Sequence, residues 1–192
     1  MSKCYPLFLL LFASLFVISF RALADPPKRA EAVFHYGVMR YGGDEGSAGS
    51  TAALGGTLTV PFAGRWAIEA DVTTAKLEVL NSFVDDWSDR RTITSFHLVY
   101  RRGAERAYWF GGVGTGFESE SVSGRSLVQL PGDAEPTFHD ASVSRTKFAP
   151  IGYKTGVVVA PWKKLVIRGE VLMQHTYILP NIMARVGVGI RF

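Results

Sequence analysis

The chain has 192 residues, 47% of them hydrophobic, a formal charge of +4 and a single cysteine, Cys4. That length fits one domain of ordinary size, and because Cys4 sits in the apolar amino-terminal stretch, the remainder is excluded from disulfide, thiol-nucleophile and thiolate-zinc chemistry. Lys3 and Arg21 belong to the same stretch, so the rest carries only +2, with no basic block interleaved with aromatics, and nucleic acid is excluded as a partner.

Lys3, the apolar run Leu7 to Phe20 and then Ala22-Leu23-Ala24 form the three parts of a secretory signal peptide, predicted to be cut before Asp25. Residues 1–24 are therefore read as a leader and 25–192 as one domain. Beyond the leader no apolar run approaches the roughly 20 residues of a membrane helix. A chain that crosses a membrane without such a helix must do so as a closed sheet, because free sheet edges cannot satisfy their backbone in lipid.

Eight stretches carry strand character, in order Ala32 to Tyr41, Ala52 to Phe62, Trp66 to Thr74, Thr92 to Arg101, Ala107 to Glu118, Phe148 to Ala160, Leu165 to Gln174 and Ile182 to Phe192. Their connections alternate between short and long. Ala63-Gly64-Arg65, Arg102 to Arg106 and Pro161 to Lys164 are tight, each with Gly or Pro to turn the chain. Gly42 to Thr51, Ala75 to Arg91 and Ser119 to Lys147 are longer and polar, and His175 to Asn181 is a shorter fourth. Three short turns on one side and four loops on the other predict an all-β fold, an eight-stranded antiparallel up-and-down transmembrane β-barrel. Phe62, Trp66, Tyr100, Tyr108, Trp162 and Phe192 fall beside the short turns or the terminus, as an aromatic girdle at a lipid headgroup boundary would.

A period of two puts successive side chains on opposite faces. In the third strand Trp66, Ile68, Ala70 and Val72 take the lipid side and leave Glu69 and Asp71 inside. The same parity places His97 and Arg101 of the fourth strand inside, with Ser95 beside them, and Arg168 and Glu170 of the seventh; Lys154, Arg185 and Arg191 complete a mixed-charge lumen. Buried charges persist when paired, which predicts a ladder of ion pairs across the lumen. The first and fifth strands are ambiguous, since Tyr108-Trp109-Phe110 does not alternate. Glycines such as Gly156 and Gly187 would make room for long side chains opposite, and an eight-stranded barrel filled in this way has no wide pore.

The last strand is the plainest. Ala184, Val186, Val188, Ile190 and Phe192 form one apolar face, and Arg185, Gly187, Gly189 and Arg191 the other. Together with the glycine-rich YWFGGVGTGFE (Tyr108 to Glu118) and the strand-turn-strand TGVVVAPWKKLVIRGEV (Thr155 to Val171), it gives the chain a resemblance to the outer-membrane β-barrel families typified by the membrane domain of outer membrane protein A and the opacity-type surface proteins. The resemblance covers Glu31 to Phe192 and implies an integral protein of the outer membrane of a didermal bacterium, with lipid and lipopolysaccharide around it. It also implies delivery by a barrel-insertion machinery that recognises the C-terminal strand and its final Phe. The larger members continue into a peptidoglycan-binding domain, which is not expected here.

The most enzyme-like grouping is Ser95 and His97 on one strand with Glu69 and Asp71 on its neighbour, and the register could place Asp71 opposite His97. A structural network is the preferred reading of these residues. The barrel-class lipid A deacylases carry His-x-Ser near the terminus, where this chain has His175-Thr176-Tyr177. No enzymatic activity, cofactor or metal site is therefore expected: His139-Asp140 is a loop pair, and the other histidines lack local ligand spacing. The functional expectation is a structural or surface-interaction role, adhesin-like, through external loops in which Phe83, Trp87 and Phe138 are the apolar contacts for an extracellular ligand. A narrow channel for ions or small solutes is the alternative, and a lipid A-modifying hydrolase a more distant one.

Overall fold

A computed structural model describes residues 26–41, 49–81, 84–128, 137–175 and 180–192. The predicted leader, Phe83, Thr176 and Tyr177 lie outside them. The order is β1 (Glu31–Tyr41), β2 (Gly49–Ala63), β3 (Trp66–Asn81), β4 (Val84–Ala104), β5 (Ala107–Val128), β6 (Thr137–Val159), β7 (Leu165–His175) and β8 (Asn181–Arg191). Each strand pairs antiparallel with the next, and β8 returns to β1, closing the barrel.

The short turns form at one end. Gly64 takes a left-handed φ of 53° between β2 and β3, and Gly103 has φ 141° at the end of β4, where a Cβ would press on Tyr108. At the other end β3, β4, β5 and β6 run on through segments read from sequence as loops: Ala75 to Arg91 and Ser119 to Lys147 are largely strand. In Ser119 to Lys147 the polar, serine-rich composition hides strands whose outer parts need no buried face. Ser142 to Thr146 are exposed on both faces, so β5 and β6 continue past the barrel as a ribbon in which Ser121 pairs with Ser144 and Ser123 with Ser142. Below it Pro150 and Ile151 stand opposite Thr115 in a bulge, a position where the missing N–H of proline costs no ladder bond.

Side chains divide by parity. Phe34, Tyr36, Leu58, Ile68, Phe96, Val186, Val188 and Ile190 point outward in a continuous apolar belt. Inside, polar and apolar layers alternate along the axis. From the turn end they run through Glu31, Arg191 and Arg101, then an apolar layer with Val33, Val99, Phe110, Val158 and Val166, then the central charges. A second apolar layer of Met39, Ala53, Ala75, Ile93, Leu172 and Met183 separates these from polar groups at the loop end. An inside-out distribution of this kind suits a barrel whose exterior is solvated by lipid and whose interior is too narrow for bulk water.

Candidate functional site

The central cluster is assembled from five strands. Alternation puts Glu69 and Asp71 on the inner face of β3 and Arg168 and Glu170 on that of β7, while the register sets Glu170 directly beside Arg185 of β8. Arg168 forks Glu69, Nη1 to Oε1 and Nη2 to Oε2 at 2.8 Å each, and donates from Nε to Glu170 Oε2 at 2.8 Å. Arg185 donates from Nε to Glu170 Oε1 at 2.6 Å and from Nη1 to Asp71 Oδ1 at 2.9 Å, with its Nη2 on Asp71 Oδ2. Lys154 Nζ lies 2.8 Å from Glu69, 3.5 Å from Asp71 and 3.7 Å from Glu170. Three carboxylates thus meet three cations, and the cluster is neutral without water. Thr59 donates to Glu69 at 2.8 Å and Thr57 to Asp71 at 2.5 Å, filling remaining lone pairs. Two glycines give these side chains space: a Cβ on Gly156 would sit 2.8 Å from that of Glu170, and one on Gly187 2.6 Å from His35 Nδ1.

Not every residue assigned to the lumen network joins this cluster. Arg191 sits at the turn end, donating from Nε to Glu31 Oε1 at 2.9 Å and from Nη1 to the Glu105 carbonyl at 2.8 Å. Arg101 is fully buried, 5.7 Å over the Tyr108 ring, and its guanidinium nitrogens have no hydrogen-bond partner among the described residues. His97 is buried beside Gly114 and Gly152, and neither ring nitrogen has a hydrogen-bond partner among the described residues.

Tyr108 corrects the girdle assignment. It points into the lumen, 1% exposed, and its hydroxyl donates to Glu31 Oε2 at 2.5 Å. Phe110 is inside as well, its face 3.9 Å beneath the Arg168 guanidinium, and Trp109 takes the outer side with Nε1 donating to Thr155 at 3.0 Å. The run of three aromatics hides this parity, because each ring suits lipid as well as a packed interior, and the inward choice rests on a partner for the Tyr108 hydroxyl and a cation over the Phe110 face. Phe62, Trp66, Trp162 and Phe192 are exposed at the turn end, and half-buried Tyr100 packs edge-on against Trp66 at 5.2 Å. Tyr108→Phe should lower unfolding stability by about 1–3 kcal/mol, since Glu31 then loses a buried donor. Tyr100→Phe, at the outer boundary, is the comparison in urea titrations of the refolded barrel, and equal effects would dismiss the Tyr108–Glu31 bond as a contributor.

Glu31, His35, Thr57 and Thr59 are not recognised from sequence, although they share the parity of recognised inward positions. A second group lies in segments whose sequence reads as loop. At the loop end Arg91 meets Asp89 at 2.9 Å, Glu118 at 3.3 Å and Glu120 at 3.0 Å, while Lys147 meets Glu120 at 3.2 Å and Asn181 donates to Glu118 at 2.8 Å. Of the loop aromatics, Trp87 falls on β4 opposite Val79 and Phe138 on β6 opposite Leu127.

The hydrolase-like grouping is not assembled. Register sets Glu69, not Asp71, opposite His97, and Asp71 opposite Ser95. Ser95 Oγ and both His97 nitrogens lack any hydrogen-bond partner among the described residues. Both carboxylates are held by cations instead. One trio does have metal-ligand spacing: His35, Asp71 and Glu170 offer atoms within 4.8 Å of one another. A divalent cation there would have to displace Arg185 from two carboxylates and sit among Lys154 and Arg168, so the donor set does not fit one.

No protein-family model matches the chain, and no curated protein sequence is detectably similar. Solved structures are similar in fold. The chain superposes on Ail, the attachment invasion locus protein of Yersinia pestis, solved in complex with the heparin analogue sucrose octasulfate, with a TM-score of 0.60 and 16% identity over 88% of this chain and 100% of that one. Neisserial surface protein A matches with a TM-score of 0.58 and 13% identity over 86% and 98%. The outer membrane protein OprG from Pseudomonas aeruginosa matches with a TM-score of 0.53 and 12% identity over 86% and 97%. The fold is that of the eight-stranded outer-membrane β-barrel proteins.

Proposed function

We propose that the chain is an integral outer-membrane protein that acts through the strands projecting from its loop end, with the lumen serving to hold the barrel shut and rigid. The observation that carries this reading is the contrast along the axis: two apolar layers and a neutral ion-pair cluster fill the lumen, whereas β5 and β6 continue beyond it as a ribbon exposed on both faces. A lumen plugged by side chains does no transport, and a projecting hairpin on a rigid scaffold is where recognition is placed.

Charge supports two partners for that end. Arg40, Lys76 and Arg90 point outward just above the apolar belt, Lys76 directly opposite Arg90, a placement suited to the phosphates of lipopolysaccharide in the outer leaflet. Exposed Arg145 lies on the ribbon itself. Because Ail is a barrel of the same fold seen with a heparin analogue, a sulfated polysaccharide is the extracellular ligand class to test first.

The test has two parts. Refolded protein should be silent in planar bilayers, and discrete conductance steps would replace the surface role by the channel. It should bind immobilised heparin, and a variant with residues 121–145 replaced by a tight turn should fold and insert yet lose binding. Retained binding in the shortened variant would remove the ribbon from the reading, and a full-length barrel that ignores heparin would remove the polyanion.

A further inference from the structure

The short-turn end of the barrel carries a charge that the rest of the domain does not share. Lys28 and Arg29 ahead of β1, Arg102 and Arg106 around the β4–β5 turn, and Lys163 and Lys164 between β6 and β7 are all exposed, and Arg65 between β2 and β3 is half-buried. Glu105 is the one exposed carboxylate at that end among the described residues. Seven cations against one carboxylate leave the rim at +6, whereas residues 25–192 as a whole carry only +2. The surplus is local, and the remainder of the domain is negative.

The backbone holds these cations in a ring. Four hydrogen bonds outside the strand ladders join neighbouring rim segments: Phe192 donates to the Ala30 carbonyl at 3.0 Å, Arg191 to that of Lys164 at 2.8 Å, Ala160 to that of Arg106 at 2.7 Å and Arg101 to that of Arg65 at 2.8 Å. Each ties a strand end to a stretch that bears cations, so all four segments of the rim are both fastened and basic. The charges are spread around the circumference instead of gathered on one side, as a patch for a single soluble partner would be. What meets an embedded barrel on all sides is lipid.

Height decides which part of the lipid they meet. Arg65 precedes Trp66 and donates from Nη1 to the Tyr100 hydroxyl at 3.2 Å. Lys163 follows Trp162, 68% exposed, and Phe192, 64% exposed, is bonded to Ala30, which follows Arg29. Aromatics so placed mark the boundary between hydrocarbon and headgroups, and the neighbouring ammonium and guanidinium groups stand at the level of the phosphates. Clustered Lys and Arg there make charge-assisted hydrogen bonds to phosphate oxygens and favour lipids of net negative charge over zwitterionic ones, whose own cation competes.

We propose that the turn-end rim is a binding collar for anionic phospholipid headgroups, which gathers lipids such as phosphatidylglycerol around the foot of the barrel in the leaflet on that side. The collar is separate from the loop-end cations Arg40, Lys76 and Arg90, which face the opposite leaflet. It rests on the lipid-facing belt and on no ligand of the ribbon.

Lipid association read by electron spin resonance tests it. The refolded barrel, its fold verified by circular dichroism, is placed in phosphatidylcholine bilayers with a trace of spin-labelled phosphatidylglycerol or spin-labelled phosphatidylcholine, and the motionally restricted fractions are compared. The parent should favour the anionic label by on the order of threefold or more at low ionic strength, and less as salt shortens the screening length to about 8 Å. Replacing Lys28, Arg29, Arg102, Arg106, Lys163 and Lys164 by glutamine should abolish the preference, and the milder pair Lys163→Gln with Lys164→Gln should remove part of it. Arg40→Gln with Lys76→Gln and Arg90→Gln should leave most of it in place. Equal association of the two labels with the parent overturns the collar, even if the rim then holds a soluble polyanion such as polyglutamate. A preference that survives in both collar variants, or that vanishes with the three loop-end cations, overturns it as well.

Discussion

Replacing Glu170 by alanine is expected to lower the unfolding free energy of the refolded barrel by about 3–5 kcal/mol, the range for removing one partner from a buried ion pair. The size follows from geometry. Glu170 Oε2 accepts from Arg168 and Oε1 from Arg185, with Lys154 3.7 Å away, so its loss leaves three cations facing two carboxylates in a space closed to bulk water. Combining Glu170→Ala with Arg185→Ala restores the balance of charge and should recover part of the loss, a coupling that a double-mutant cycle in urea measures directly. A single variant within about 0.5 kcal/mol of the parent would show that the ladder does not hold the barrel. Isolated buried ion pairs are weak evidence for stability, but this cluster meets the demanding condition of a bidentate Arg–carboxylate pair with the remaining lone pairs filled by Thr57 and Thr59.

The second large effect belongs to the exterior. Val186, 61% exposed and midway along β8, should tolerate arginine poorly, with a cost of about 2–4 kcal/mol for folding into a bilayer, because a guanidinium there meets hydrocarbon. The same substitution on a barrel surrounded by water would stay within about 0.5 kcal/mol. Folding titrations of Val186→Arg in phospholipid vesicles therefore discriminate between a lipid-facing belt and a water-facing one, and near-neutrality would remove the membrane from the account. Ile190→Arg, nearer the turn-end boundary, should cost less, since the penalty falls with distance from the midplane.

Much of this was legible along the chain, and unevenly so. Strands β7 and β8 could be read almost to the residue, since Arg168, Glu170, Arg185 and Arg191 alternate with aliphatic neighbours and leave one choice of face. Strand β5 could not, because Tyr108, Trp109 and Phe110 are equally acceptable to lipid and to a packed lumen. Only the presence of Glu31 and Arg168, contributed by strands distant in sequence, decides that the first and third of them turn inward. The projecting parts of β5 and β6 read as loop for a related reason: a ribbon exposed on both faces has no apolar parity to betray it, and its backbone pairing leaves no mark on composition.

Sequence by itself determined the barrel, its strand number and the parity of its two faces, because a period of two and the spacing of turns are local properties that each strand carries alone. Which charge meets which, the placing of Glu69 rather than Asp71 opposite His97, and the burial of Ser95, His97 and Gln174 without hydrogen-bond partners among the described residues were decided only when the sheet closed. Closure sets the stagger between strands, and pairs such as Glu69 with Arg168 face one another across the lumen, not along the chain.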